Sequence, residues 1–158
     1  MLLPIRKILC PTDFSAPSYE ALKRAIELCS HFGAELFVLH VLPEIPRPAW
    51  IEGVDVAPGA QAQIADYDEE LHRGAQQKLH DLIQKCVPKE LKTTPIVAHG
   101  DAASEIVRIA EDQRDGLIVM ATHGLTGWRQ VTLGSVAERV VRLSPRPVLT
   151  IRAPGERR

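Results

Sequence analysis

The sequence predicts an α/β fold: a single doubly wound five-stranded parallel sheet of order 3-2-1-4-5, with helices on both faces. Three observations lead there. Five short apolar runs alternate with four segments whose apolar residues recur at helical spacing. The runs at 35–41 and 116–121 are nearly continuous in apolar residues, as strands covered on both faces are. Right-handed crossovers put helices on both faces when the winding reverses once, and a reversal between the first and fourth strands opens a ligand crevice at their carboxyl ends. The order 2-1-3-4-5, with its crevice between the first and third strands, is the alternative.

Residues 5–10 (Ile-Arg-Lys-Ile-Leu-Cys) read as the first strand and 11–15 as a turn, with Ser15 or Asp13 able to cap the first helix. In that helix Ala21/Leu22, Ala25/Ile26, Leu28/Cys29 and Phe32 recur at helical spacing, and Gly33 is the expected stop. Residues 35–41 form the second strand. Residues 42–63 hold Pro43, Pro46, Pro48, Pro58, Gly53 and Gly59 without a usable period, which predicts a long mobile loop or lid. From Ile64 a long helix resumes, with Ile64, Tyr67, Leu71, Ala75, Leu79, Leu82, Ile83 and Cys86 on one stripe, ending before Pro88. Residues 93–99 are the third strand, and Pro95 places it near a sheet edge. Asp101 caps the third helix, with Ile106, Ile109 and Ala110 facing inward. Residues 116–121 are the fourth strand, 135–143 the fourth helix and 147–152 the fifth strand.

A chain of 158 residues suits one domain, here 1–153, followed by a disordered tail at 154–158. The formal net charge is −1 with no long run of one sign, so neither nucleic acid nor an anionic membrane is the expected partner. Cys10, Cys29 and Cys86 are widely spaced and lack a Cys-x-x-Cys pair. They read as small buried hydrophobes in a reducing compartment, which makes the cytoplasm the expected location.

The least ordinary stretch is ATHGLTGWRQVTLGSVAE, residues 121–138. Gly124 lies just beyond the fourth strand, Gly127 follows, and Gly134 directly precedes the fourth helix. Glycine has no side chain to block an approaching phosphate, and the amides at a helix N-terminus favour negative charge. Thr122, Thr126, Thr132 and Ser135 add hydroxyls, and Arg129 is the nearby cation. The same residues permit a second reading. Ser135-Val-Ala-Glu138 fits a capping box, in which the helix satisfies its own amides and Gly134 is a flexible entry. Glycine spacing leaves both readings standing.

The chain also resembles the universal stress protein family. ILCPTDFSAPSYEAL (8–22), AELFVLHVLP (34–43), HGDAASEIVRIAED (99–112) and above all DGLIVMATHGLTGWRQVTLGSVAERVVRLSPRPVLTIR (115–152) carry the resemblance over almost the whole length. Nucleotide-binding members carry the signature G-x2-G-x9-G-[ST]. Here Gly124, nine residues, Gly134 and Ser135 keep its later part, while Ala121 stands where the opening glycine would be. The resemblance implies an ATP site. Pro11, Thr12 and Asp13 would border the ribose and adenine, with Asp13 near the ribose or a bound Mg²⁺, and Val41 would offer its backbone to the adenine edge. Thr122, His123, Gly124, Leu125, Thr126 and Gly127 would wrap the phosphates, with Gly134, Ser135 and Val136 closing on them. Amides, Arg129 and Mg²⁺ would meet the triphosphate charge.

No nucleophile–base set or carboxylate pair stands at the motif, so the expectation is ATP binding with slow or no hydrolysis, in a stress-response sensor or adaptor. The alternatives are a dimeric protein-interaction module without nucleotide, its docking surface at 42–63, and a weak ATP-hydrolysing or phosphotransfer enzyme. His40, His99 and His123 all end strands, but the strand order does not make their strands mutual neighbours, so a zinc site is not expected. His72 and His80 read as solvated. The fifth strand, 147–152, is an expected edge and pairs with its copy in a homodimer, as the resemblance also implies.

Overall fold

The computed structural model of the chain describes residues 4–44, 58–113, 116–123 and 134–152, side chains of 58–62 and 64 excepted. Among the described residues nine elements follow one another: β1 (Lys7–Pro11), α1 (Ala16–Phe32), β2 (Glu35–Leu42), α2 (Pro58–Cys86), β3 (Thr93–His99), α3 (Ala102–Asp112), β4 (Gly116–Ala121), α4 (Ser135–Leu143) and β5 (Val148–Ile151). The strands form one parallel sheet in the order β3-β2-β1-β4-β5. That is the predicted order, and it sets the reversal of winding between β1 and β4.

Strand alternation divides the core in two. Ile8, Cys10, Leu36, Val38, Leu117 and Val119 point to the face covered by α1 and α2, where Leu22, Cys29, Leu79 and Leu82 meet them. The residues between, Leu9, Phe37, Leu39, Ile118 and Met120, point to the other face, against Ile106, Ile109, Ala137 and Val140 of α3 and α4. This period of two within apolar runs is what a sheet covered on both sides requires.

Local chemistry accounts for the helix ends. Ser15 is the N-cap of α1, and Gly33 closes that helix in the left-handed region at φ 65°. Asp101 caps α3 by accepting from the Ser104 amide. β3 is an outer strand, which tolerates the missing amide of Pro95.

Several boundaries differ from expectation: β1 starts at Lys7 and not at residue 5, and β5 is Val148–Ile151 and not 147–152. Pro11, read as part of a turn, closes β1 opposite Leu39. The expected loop 42–63 is shorter at both ends, since Leu42 belongs to β2 and α2 begins at Pro58, a residue suited to a helical first turn. Residues 45–57 of that loop, and the tail 153–158, lie outside the described residues. The apolar stripe of α2 is also only partly inward. Ala75, Leu79 and Leu82 are buried, but Tyr67 and Leu71 are exposed. The reason is length: 29 residues of helix span about 43 Å, whereas the eight residues of β2 span about 26 Å, so the first half of α2 overhangs the carboxyl edge of the sheet.

Candidate functional site

A cavity of about 270 Å³ lies at the carboxyl ends of β1, β2 and β4, between α3 and α4. Leu39, Met120, Ala102 and Ile106 contribute an apolar floor, and the polar groups stand at its two rims. This is the position at which open parallel sheets bind ligands.

The β1 rim is Pro11-Thr12-Asp13, all on the cavity wall. Thr12 is buried, and each of its polar groups is engaged. Its amide donates to the Leu39 carbonyl at 2.8 Å. His40 Nδ1 lies 2.8 Å from its carbonyl. Its hydroxyl meets the Ser18 hydroxyl at 3.0 Å and accepts from the Phe14 amide at 3.1 Å. Asp13 Oδ1 accepts from the Ser15 amide at 3.0 Å and from the Ser15 hydroxyl. Between them Phe14 adopts φ 63°, a left-handed conformation uncommon for an aromatic residue.

The β4 rim is built differently. The Thr122 amide donates to the Ile151 carbonyl at 2.9 Å, and the Thr122 carbonyl accepts from the Gly134 amide at 2.7 Å. A Cβ on Gly134 would sit 2.9 Å from that carbonyl, closer than side-chain carbons approach. With φ at −59° the backbone is ordinary. Glycine is therefore demanded here by close approach, not by an unusual dihedral. The N-cap of α4 is Gly134, with no side-chain capping bond. The expected capping box is not formed, because Ser135 lies one residue inside the helix and Glu138 pairs with Arg142 at 2.7 Å. Gly134, Ser135 and Val136 all line the cavity, so the first turn of α4 faces it without a side-chain cap.

One charge pair near the cavity, among the described residues, is tied up in structure. Arg139 of α4 grips Asp101, the cap of α3, through two bonds of 2.8 and 2.9 Å. That guanidinium, then the Ser104 hydroxyl and amide, hold the Asp101 carboxyl well below the usual carboxylate range. The clasp joins the two helices that flank the cavity.

Pro11, Thr12, Asp13, Val41, Ala121, Thr122, His123, Gly134, Ser135 and Val136 are thus gathered around one cavity. Gly124, Leu125, Thr126, Gly127 and Arg129 lie outside the described residues. Sequence reasoning missed Ser18, Leu39, His40, Ala102, Ile106, Met120 and Ala137. For some of them a signal was present, Ala102 and Ile106 as a helical i, i+4 pair and Leu39 and Met120 as strand positions sharing a face with Leu9. Thr122 and His123 also touch each other, Oγ1 to Nδ1 at 3.1 Å. His72, expected to be solvated, lies in an exposed pair with His99, nitrogen to nitrogen at 2.9 Å, where α2 passes the end of β3. Among the described residues, no three His, Cys, Asp or Glu side chains form a group able to hold a metal ion.

The model of the universal stress protein family matches residues 4–152. The chain belongs to the universal stress protein family. It is 35% identical over 149 residues to universal stress protein MJ0531 of Methanocaldococcus jannaschii, covering 94% of this chain and 83% of that one. It is 31% identical over 159 residues to universal stress protein MJ0577 of the same organism, covering 96% and 98%. The solved structure of MJ0577, described as a structure-based assignment of biochemical function, superposes with a TM-score of 0.78 at 30% identity over 94% of this chain and 96% of that one. The same fold recurs in a universal stress protein in complex with cAMP (21% identity, TM-score 0.59, 94% and 97% covered). It recurs again in one from Archaeoglobus fulgidus in complex with dAMP (20% identity, TM-score 0.56, 96% and 99% covered).

Proposed function

We propose that this universal stress protein binds adenine nucleotides in the cavity between β1 and β4, with ATP and Mg²⁺ as the principal ligand, and acts as a sensor or adaptor in a stress response. The observation that carries the reading is the start of α4. Its first turn opens onto a cavity with an apolar floor, and no side chain of its own caps it. Unbonded amides at a helix N-terminus favour phosphate oxygens, and the apolar floor suits a purine. That relatives of the same fold are held in complex with cAMP and dAMP supports the same ligand class. Asp13 offers one carboxylate, the kind of partner that Mg²⁺ takes alongside substrate phosphates.

Turnover is slow or absent in this reading, because nothing in the described rims positions an attacking water. Steady hydrolysis at or above about one per second would overturn that part. The protein works as a homodimer through β5, an edge strand whose Leu149 is exposed, with Val141 and Leu143 of α4 exposed beside it. Three cysteines without disulfide partners suit a reducing cytoplasm, and residues 42–63 supply the surface for a protein partner.

Thermal unfolding tests the binding. ATP at about a hundred times its dissociation constant stabilises the fold by about 2.7 kcal/mol, a melting rise of roughly 5–10 °C at this size. Gly124→Val removes the rise and leaves the ligand-free melt near wild type. No rise with ATP, AMP, cAMP or dAMP would reject the reading in favour of a module that only dimerises and contacts proteins.

A further inference from the structure

We propose that His40, a residue no nucleotide signature points to, is the positioning residue of the β1 rim; the inference rests on the nucleotide reading above. Strand alternation settles which way its side chain goes. Leu39 and Val41 belong to the α3–α4 face on which the cavity opens, so the ring of His40 between them turns to the α1–α2 face, while His40 still lines the cavity beside Thr12. On the α1–α2 face its ring packs on Phe14, centroid to centroid at 4.5 Å, and Phe14 in turn joins the α1–α2 core.

The hydrogen bond to Thr12 fixes the tautomer. A carbonyl oxygen accepts and cannot donate, so the His40 nitrogen 2.8 Å away, Nδ1, carries the proton. β1 ends at Pro11, yet Thr12 is held through both of its flanking peptide groups by consecutive residues of β2. Its amide donates to Leu39 and its carbonyl accepts from His40. The amide bond fixes the peptide plane between Pro11 and Thr12, and the carbonyl bond fixes the plane that leads into Asp13. The ring of His40 also braces Phe14 in its left-handed conformation, which reverses the chain directly after Asp13. His40 lines the cavity too, and through the Thr12 carbonyl it aims Pro11, Thr12 and Asp13 at it.

The test compares Mg-ATP binding by wild type, His40→Leu and His40→Asn. An asparagine amide can occupy the place of Nδ1 and keep the bond, whereas leucine fills the space and leaves the Thr12 carbonyl without its donor. Leucine is expected to raise the dissociation constant by about tenfold or more, with asparagine within about threefold of wild type. Equal loss in both variants, or leucine binding like wild type, would overturn the role. Long-range proton–nitrogen NMR on the unmodified ligand-free protein gives a second reading that needs no variant to fold. A proton on Nδ1 of His40 is expected, and a neutral ring protonated at Nε2 instead overturns the proposal. Absence of Mg-ATP binding by wild type rejects the nucleotide reading itself, and the NMR result then decides separately whether His40 holds the Thr12 turn.

Discussion

Both β1 and β4 run into a helix at the carboxyl edge of the sheet, but the two junctions spend their hydrogen bonds in different ways. At β1→α1 the chain satisfies itself. Ser15 caps the helix, Asp13 holds Ser15, and Thr12 is bonded through its amide, carbonyl and hydroxyl. At β4→α4 the Thr122 carbonyl and Gly134 amide close on each other, and the helix that follows has no side-chain cap. A closed junction supplies fixed shape. One without a side-chain cap leaves its helix amides to be met by other means. A nucleotide asks for both: a rigid wall for base and sugar, and amides for the phosphates.

Gly134→Val attacks this difference most directly, because the new Cβ would crowd the Thr122 carbonyl at 2.9 Å. Overpacking of this kind costs about 2 kcal/mol, roughly 5 °C in the ligand-free melt. Nucleotide affinity is expected to fall about a hundredfold or more, beyond what the stability loss explains. Retained affinity in titration calorimetry would mean that the start of α4 is not the anion site.

The next largest effect tests how dry the closed junction is. Burial pushes the Cys10 thiol, directly behind Pro11, from 9.0 up to about 12, with the neighbouring Cys29 adding to the shift. A raised pKa means that the unfolded chain gives up its proton first. Stability is therefore complete below about pH 9 and declines as pH rises toward 12, at up to about 1.4 kcal/mol per pH unit for this thiol. Urea melts between pH 8 and 10.5 measure the slope, and Cys10→Ala should lower it without abolishing it, because burial pushes the Cys29 thiol up to about 12 as well.

Two serines then give the comparison in miniature. Ser15→Ala removes a capping bond and should cost about 1 kcal/mol, or about 2–4 °C. Ser135→Ala removes no capping bond, so the ligand-free melt should move by about 1 °C or less, while nucleotide affinity drops about tenfold. Reversed effects would show that α4 and not α1 depends on its serine for folding.

The smallest effect concerns the Asp101–Arg139 clasp. Asp101 is depressed, so whatever the pair contributes is present above the ordinary carboxylate range and is lost as pH falls through the lower, folded-state value. Arg139→Ala should return the Asp101 titration, followed by NMR, toward that ordinary range, with little change in melting because the pair is exposed.

The nine elements were legible from the chain because each has strong local punctuation. Gly33 stops α1, Asp101 starts α3, and Gly116 to Ala121 is an unbroken apolar run. Handedness and a single reversal narrowed the strand order to 3-2-1-4-5 and its alternative 2-1-3-4-5, and the sheet has the first. What escaped was non-local. The engagement of Thr12 by Leu39 and His40 joins residues far apart in sequence, and no pattern around Thr12 announces it. The overhang of α2 came from a mismatch of helix and strand length, which a stripe of apolar residues does not encode. The capping box at Ser135 misled because the sequence match is real, but Gly134 takes the cap position when its amide is drawn to Thr122.

The place of β1 carries a consequence for synthesis. It sits at the centre of the sheet, but while β2 follows it soon, its other neighbour, β4, pairs through Gly116, Leu117 and Ile118, about a hundred residues later. At roughly 5–20 residues per second on the ribosome, one side of β1 waits for several seconds with its backbone groups unmatched. During that interval the most interior strand of the finished protein is an exposed edge, open to any passing chain.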